Sequence, residues 1–95
     1  MKVIVVATRK PDAAADAFTP YLAEESNMAL SLYRDGYVRE IYSRDDGKGA
    51  VVVFECDDVA HAERLFSELP LAKAGLLSAQ FYGTRPYRGI VQFVK

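Results

Sequence analysis

Cysteine is nearly absent: Cys56 stands alone in 95 residues, which excludes an intrachain disulfide and a cysteine-rich metal cage. Tryptophan is missing and histidine occurs once, as His61, so a metal site built on several imidazoles is excluded as well. No charge of one sign predominates, with 12 Lys and Arg against 13 Asp and Glu, and no segment gathers the basic residues into a patch. A nucleic-acid partner is therefore not expected. Long hydrophobic runs are lacking too. Met1 and Lys2 lead into an apolar run over residues 3–7 that Thr8, Arg9 and Lys10 stop too early for a signal-peptide core or a membrane span. The expectation is a soluble, cytoplasmic protein of one domain, residues 1–95, with no metal, no cofactor and no membrane partner. A chain of this length buries only roughly two-thirds of the surface it exposes when unfolded, so assembly with a second copy would help it.

What is present is a clean alternation of strands and helices. Residues 2–8 predict a strand, and residues 9–17 a loop or short helical turn around Pro11. Thr19 and Pro20 open a helix over residues 20–35, with a hydroxyl able to cap orphan amides and a proline at the first helical position. Gly36 stops it. Residues 37–44 and 49–56 predict two antiparallel strands joined by Asp45-Asp46-Gly47-Lys48, whose Asp-Gly step favours a tight hairpin. Asp57 or Asp58 caps a second helix with an inward stripe of Val59, Ala62, Leu65, Phe66 and Leu69, ended by Pro70. Residues 76–82 predict a fourth strand, and residues 90–94 a possible fifth after the turn-rich stretch 83–89. The order βαββαβ is the ferredoxin-like α+β arrangement, an antiparallel sheet with two helices on one face. Its central strands would be the first and third, here Val3-Ile4-Val5-Val6 and Val51-Val52-Val53-Phe54, which read as apolar on both faces. Two helices cover one face only, so the other calls for a second sheet, most simply that of another copy about a two-fold axis.

Glu25 is the chain's most informative residue. On a helix advancing about 100° per residue, Met28, Tyr21, Leu32, Ala29, Leu22 and Tyr33 sweep one arc, and Glu25 falls near its centre. Glu24, Asn27, Ser31, Arg34 and Asp35 lie opposite. A carboxylate aimed inward must find a partner, take up a proton or line a cavity, and the last two are how proteins make a general acid or base. Arg39, Tyr42 and Tyr33 are the donors that could steady charge on a substrate oxygen, and Arg39 could also hold a substrate carboxylate. In a regular strand Arg39 and Ile41 share one side, and Glu40 and Tyr42 the other, so one pair alone can face Glu25. Glu25 could equally form a structural ion pair with Arg39 or another cation, and Arg39 and Glu40 could serve to protect an edge strand. Cys56 reads as a small buried residue at a strand end. His61 and Lys73 read as surface residues, and Gly83 and Gly89 lack the strand-to-helix setting of a phosphate loop.

The pattern Phe18-x-Pro20 with Glu25, then Leu32-Tyr33-x-Asp35-Gly36-x-Val38-Arg39-Glu40-x-Tyr42, then Gly49-Ala50-Val51-Val52-Val53-Phe54-Glu55 and Leu69-Pro70-Leu71, resembles the muconolactone isomerase family of small dimeric α+β barrel proteins over nearly the whole chain. The resemblance implies a homodimer joined through its sheets, sometimes built into a higher oligomer, with a pocket between helices and sheet and Glu25 where the isomerases place a glutamate. The second strand, Val38-Arg39-Glu40-Ile41-Tyr42, departs from the aromatic, His-bearing strand of the isomerases. Three functions stay open: a cofactor-free isomerase or lyase moving a proton on a small unsaturated organic acid or lactone with Glu25 as general acid/base; a small monooxygenase or cyclase taking an aromatic-derived substrate; and a non-catalytic dimer that binds a small molecule or a partner. The lone His61, poorly placed as an axial ligand, argues against haem.

Overall fold

A computed structural model describes residues 1–91. Strand β1 spans Lys2–Arg9 and leads through two 3-10 turns, Ala15–Ala17 and Thr19–Tyr21, into helix α1, Leu22–Arg34. Strands β2, Val38–Ser43, and β3, Gly49–Glu55, follow as a hairpin; then come α2, Val59–Ser67, a single turn α3, Pro70–Lys73, strand β4, Leu77–Gly83, and a last turn α4, Arg88–Val91. The sheet order is β2-β3-β1-β4, with every neighbouring pair antiparallel. This is the expected ferredoxin-like α+β topology, with β1 and β3 in the middle.

Several ends are set by local chemistry. Gly36, at φ +86°, closes α1 with a paired turn: its N–H donates to Tyr33 O and that of Tyr37 to Leu32 O, at 3.1 and 3.0 Å. Asp58 supplies the α2 cap by accepting the His61 N–H at 2.8 Å. Three expectations are corrected. The Thr19 hydroxyl caps nothing, because Pro20 sits in a 3-10 turn and α1 begins only at Leu22. Pro70 does not simply end a helix. It holds Leu69 extended, at φ −65° and ψ 138°, so α2 has already stopped and the proline opens α3. Residues 88–91 are helical rather than part of a fifth strand, closed locally by the Ile90 N–H on Tyr87 O at 3.1 Å; residues 92–94 of that expected strand lie outside the described residues.

The core lies between one sheet face and the helices. From β1 it takes Val3, Val5 and Ala7, and from β3 Val52 and Phe54. Ala62 and Phe66 of α2 and Leu69 meet them, while Met28 and Leu32 of α1 pack from the side. Both central strands alternate strictly. The other face of the sheet is also apolar and is left open: Ile4 is 37% exposed, Val6, Val51 and Val53 are half-buried, and Tyr42 and Tyr82 flank them across the register. No helix among the described residues is long and apolar enough to cross a membrane.

Gly49 starts β3 opposite Thr8, and a Cβ there would run into the carbonyl oxygen of Ala7. Since that atom belongs to a central strand, the neighbour has no freedom to move aside. Gly49→Ala is expected to destabilise the fold by at least about 1–3 kcal/mol, seen as a lower urea midpoint with an unchanged slope.

Candidate functional site

Helix α1 leans on the sheet at one end and stands off it at the other. Leu32 and Met28 touch the core, yet no α1 residue is fully buried. The gap beneath is a hollow of about 440 Å³, walled by Leu22, Glu25 and Ala29 of α1, Ile41 of β2, Val52 of β3 and Leu71 of α3. Its size sits at the lower end of the range for small-molecule sites, and its walls are mostly apolar with a few polar groups, as such sites usually are. A larger groove of about 650 Å³ runs along the outside of α1 and α3. It is shallow, and its Lys73 and Glu68 pair with each other at 3.2 Å, so the enclosed hollow is the better place for chemistry.

Glu25 reaches into that wall from α1, half-buried. Its Oε1 accepts the backbone N–H of Leu71 at 2.9 Å. Pro70 and Leu71 are the first residues of α3, whose flanking residue Leu69 offers no side-chain cap, so a carboxylate from another helix takes the capping role. Burial pushes the Glu25 carboxyl above its ordinary value of 4.5, and the Leu71 N–H pulls it partly back. Among the described residues Glu25 forms no ion pair. The alternative of a structural pair with Arg39 therefore does not occur within the protomer; a neutral amide is the partner instead.

Two guanidinium groups flank the hollow. Arg44 is held in place: its Nη1 donates to Thr8 Oγ1 at 2.7 Å and to Ala7 O at 3.4 Å, and its Nη2 to Asp46. Asp46 accepts the Lys48 N–H at 2.9 Å, and that bond, with Arg44 beside it, holds its carboxyl below the usual range. Arg9 is freer. Its guanidinium lies over the Phe18 ring, 4.7 Å from the centroid, and donates to no side chain or carbonyl among the described residues. The alternation of β1 places Arg9 on the same side as Val3, Val5 and Ala7, so parity alone could have located it. Arg44 lies just past a strand end, where parity carries no signal.

The four residues expected to bind substrate lie elsewhere in the protomer. Tyr33 is on α1 but 56% exposed, away from the hollow. Arg39 is the extra residue of a bulge between Val38 and Glu40, and its Nε donates to Gly36 O at 3.0 Å. The bulge resets the strand, so Val38 and Ile41 both face inward and Glu40 and Tyr42 lie on the open face of the sheet. There the Tyr42 hydroxyl donates to Glu40 Oε1 at 2.6 Å, which raises the phenol's pKa. His61 packs edge-on against Tyr37, and its Nδ1 accepts the Asp57 N–H at 3.1 Å. Cys56 is buried, and burial pushes its thiol up. No group of three or more His, Cys, Asp or Glu able to hold a metal occurs among the described residues.

No family model and no curated protein matches the chain. Solved structures do. Muconolactone isomerase is similar at TM-score 0.75 and 22% identity over 93% of this chain and 92% of that one. 5-Chloro-2-hydroxyhydroquinone dehydrochlorinase from Burkholderia phenoliruptrix AC1100, solved with 2,5-dihydroxybenzoquinone, is similar at TM-score 0.74 and 13% identity over 94% and 98%. At these identities the likeness shows a shared fold, and at that level it bears out the resemblance carried by the residues.

A carboxyl that titrates higher in the folded chain than in the unfolded one holds its proton more readily when folded. Its stabilising contribution is full below 4.5 and is lost as pH rises through the raised folded value. The unfolding free energy of the wild type, relative to Glu25→Gln, is therefore expected to fall with pH from 4.5 up to that value and then level off. Denaturation at a series of pH values, beside an NMR titration of the Glu25 carboxyl, checks this; a difference that rises with pH would mean that the hydrogen bond, not burial, dominates.

Proposed function

We propose that the chain is an isomerase or lyase-type enzyme that removes and returns a proton on a small unsaturated organic acid or lactone, with Glu25 as general acid/base. The supporting observation is the setting of Glu25: a half-buried carboxylate with a raised pKa, no ion pair, and one oxygen fixed by a backbone N–H at the wall of an apolar hollow. The free oxygen is the proton carrier. In an allylic shift, ionised Glu25 takes a proton from the carbon next to a carbonyl, the electron pair moves onto the carbonyl oxygen as a dienolate, and the proton returns further along the conjugated system. The same first step opens an elimination, in which a leaving group departs instead. The two similar structures carry the names of an isomerase and a dehydrochlorinase, which fits this shared step. The raised pKa makes the ionised carboxyl a stronger base toward the substrate C–H.

The unit of function in this reading is a homodimer. The open apolar face of Ile4, Val6, Val51 and Val53, edged by Tyr42 and Tyr82, is covered by the same face of a second copy. Tyr42 and Glu40, absent from the hollow of their own protomer, then lie within the interface.

One observation favours a second reading. The Glu25 bond to Leu71 is a sound structural cap, and a chain whose Glu25 only capped α3 would be a small-molecule-binding dimer without catalysis. Glu25→Gln separates the two, because the amide oxygen still accepts the Leu71 N–H but carries no acid. Wild-type protein in heavy water is expected to exchange the acidic C–H of a substrate lactone or unsaturated acid, followed by NMR, and Glu25→Gln to slow that exchange by about 10²–10⁴-fold with little change in melting temperature. Exchange that survives unchanged favours the cap alone. For the dimer, Val53→Asp puts a charge at the centre of the open face; sedimentation is expected to show a wild-type dimer and a monomeric variant, and a monomeric wild type would refute the assembly.

A further inference from the structure

We infer that Arg9 is the anion anchor of the Glu25 hollow, and that the ligand it selects carries a single carboxylate on a largely apolar body. This rests on the reading of the hollow as a substrate site and adds the ligand's charge and the residue that meets it.

The sheet fixes the base of the Arg9 side chain. Its backbone N–H donates to Lys48 O at 2.7 Å and it pairs with Leu77 of β4. The side chain then lies across Phe18, a ring only 3% exposed, so the platform beneath the guanidinium is part of the packed structure. The cation–π contact uses none of the guanidinium's N–H donors, and none of them meets a side chain or carbonyl among the described residues. No carboxylate among the described residues pairs with it. A guanidinium oriented by an aromatic face, with its fork unoccupied at the rim of a hollow, is suited to a planar carboxylate through two parallel hydrogen bonds.

The charge count narrows the ligand. Arg44 also borders the hollow, but Asp46 neutralises it and Thr8 and Ala7 take further donors. Arg9 is left as the one uncompensated cation among the described residues that line the hollow with Glu25. A monoanion balances it. A dianion would bring a second negative charge into an apolar space that already holds an ionisable carboxyl, with no free cation to meet it. The remaining wall, Leu22, Ile41, Val52 and Leu71, suits a hydrocarbon or unsaturated ring.

Calorimetric titration with benzoate and its neutral amide, benzamide, tests the assignment. Wild-type protein is expected to bind benzoate roughly tenfold or more tightly than benzamide, and less so as salt rises. Arg9→Gln is expected to weaken benzoate by roughly tenfold or more and leave benzamide nearly unchanged, and Arg9→Lys to recover part of the loss, since an ammonium keeps the charge but not the fork. In unaltered protein, benzoate is expected to shift the NMR signal of the Arg9 Nε–H, a readout independent of how the variants fold. Equal affinity for acid and amide, equal losses for both in Arg9→Gln, or an unmoved Arg9 signal at saturation would overturn it. The outcome is separable from the fate of the catalytic reading. If Glu25→Gln still exchanges its substrate while Arg9→Gln loses benzoate, the base assignment fails and the anchor stands; if Glu25→Gln stops exchange and Arg9→Gln binds benzoate normally, the reverse holds.

Discussion

A four-stranded sheet with apolar residues on both faces and helices on one is the constraint from which the rest of this protein follows. Val3, Val5 and Ala7 point into the core, Ile4 and Val6 point out of it, and the short chain has one layer of helices to spend. Two consequences divide the molecule. On the covered side, α1 and α2 must share a sheet wider than one helix, and α1 does so by packing Leu32 and Met28 while its first turns stand clear. The clearance is the hollow. On the other side, a strip of valine and isoleucine between two tyrosines faces outward, at the energetic cost of apolar area left in water. The hollow and the open apolar face thus arise from the same shortage of helical cover.

The hollow would close or lose its shape without α3. A helix of four residues has too few internal hydrogen bonds to persist by itself, and this one is held from both ends. The Leu76 N–H on Leu71 O and the Gly75 N–H on Ala72 O, both at 3.0 Å, finish it at a glycine with φ +73°. Glu25 begins it from 46 residues away in the chain. Leu71, whose side chain is buried and whose N–H meets Glu25, therefore ties the roof of the hollow to its most polar wall. Pro70 contributes by fixing Leu69 in an extended conformation, which turns α3 back across α1 rather than letting α2 run on.

The topology was legible because each signal was local: short apolar runs in β1 and β3 bounded by polar and turn residues, the Asp46-Gly47 turn, Gly36 after α1, the Asp57-Asp58 pair before α2. The site was legible only in part. The place of Glu25 at the wall of the hollow could be anticipated because a single carboxylate in an apolar arc stands out at any register of the helix. Arg39, Glu40 and Tyr42 were judged by strict alternation along β2, and one bulged residue overturned that rule, sending Ile41 inward and Arg39 to the carbonyl of Gly36. Tyr33 belonged to the apolar arc, but the structure leaves that side of α1 exposed. Arg9 was passed over as the residue that ends an apolar run, although its position relative to Ala7 already put it on the core side. The partner of Glu25 could not be read at all, since a backbone N–H has no letter in the sequence and becomes available only because Pro70 starts a new helix.

The cap that Glu25 makes and the catalytic role proposed for it do not compete, for a reason in the chemistry of the carboxyl group. An ionised carboxylate accepts through either oxygen; a protonated one keeps a carbonyl oxygen that still accepts and places the proton on the other. With Leu71 N–H on Oε1, the proton in the proposed cycle resides on Oε2, and the cap persists through both states, weaker when the charge is gone. The bond then does two things at once. It orients the free oxygen, which a long glutamate side chain would otherwise leave to several rotamers, and it favours the ionised form enough to offset part of the burial that raises the pKa. Burial pushes the carboxyl's pKa up and the bond pulls it down, burial being the stronger influence. In the proposed cycle the two influences act in opposite senses: burial makes the carboxylate the stronger base, and the bond eases the return of the proton.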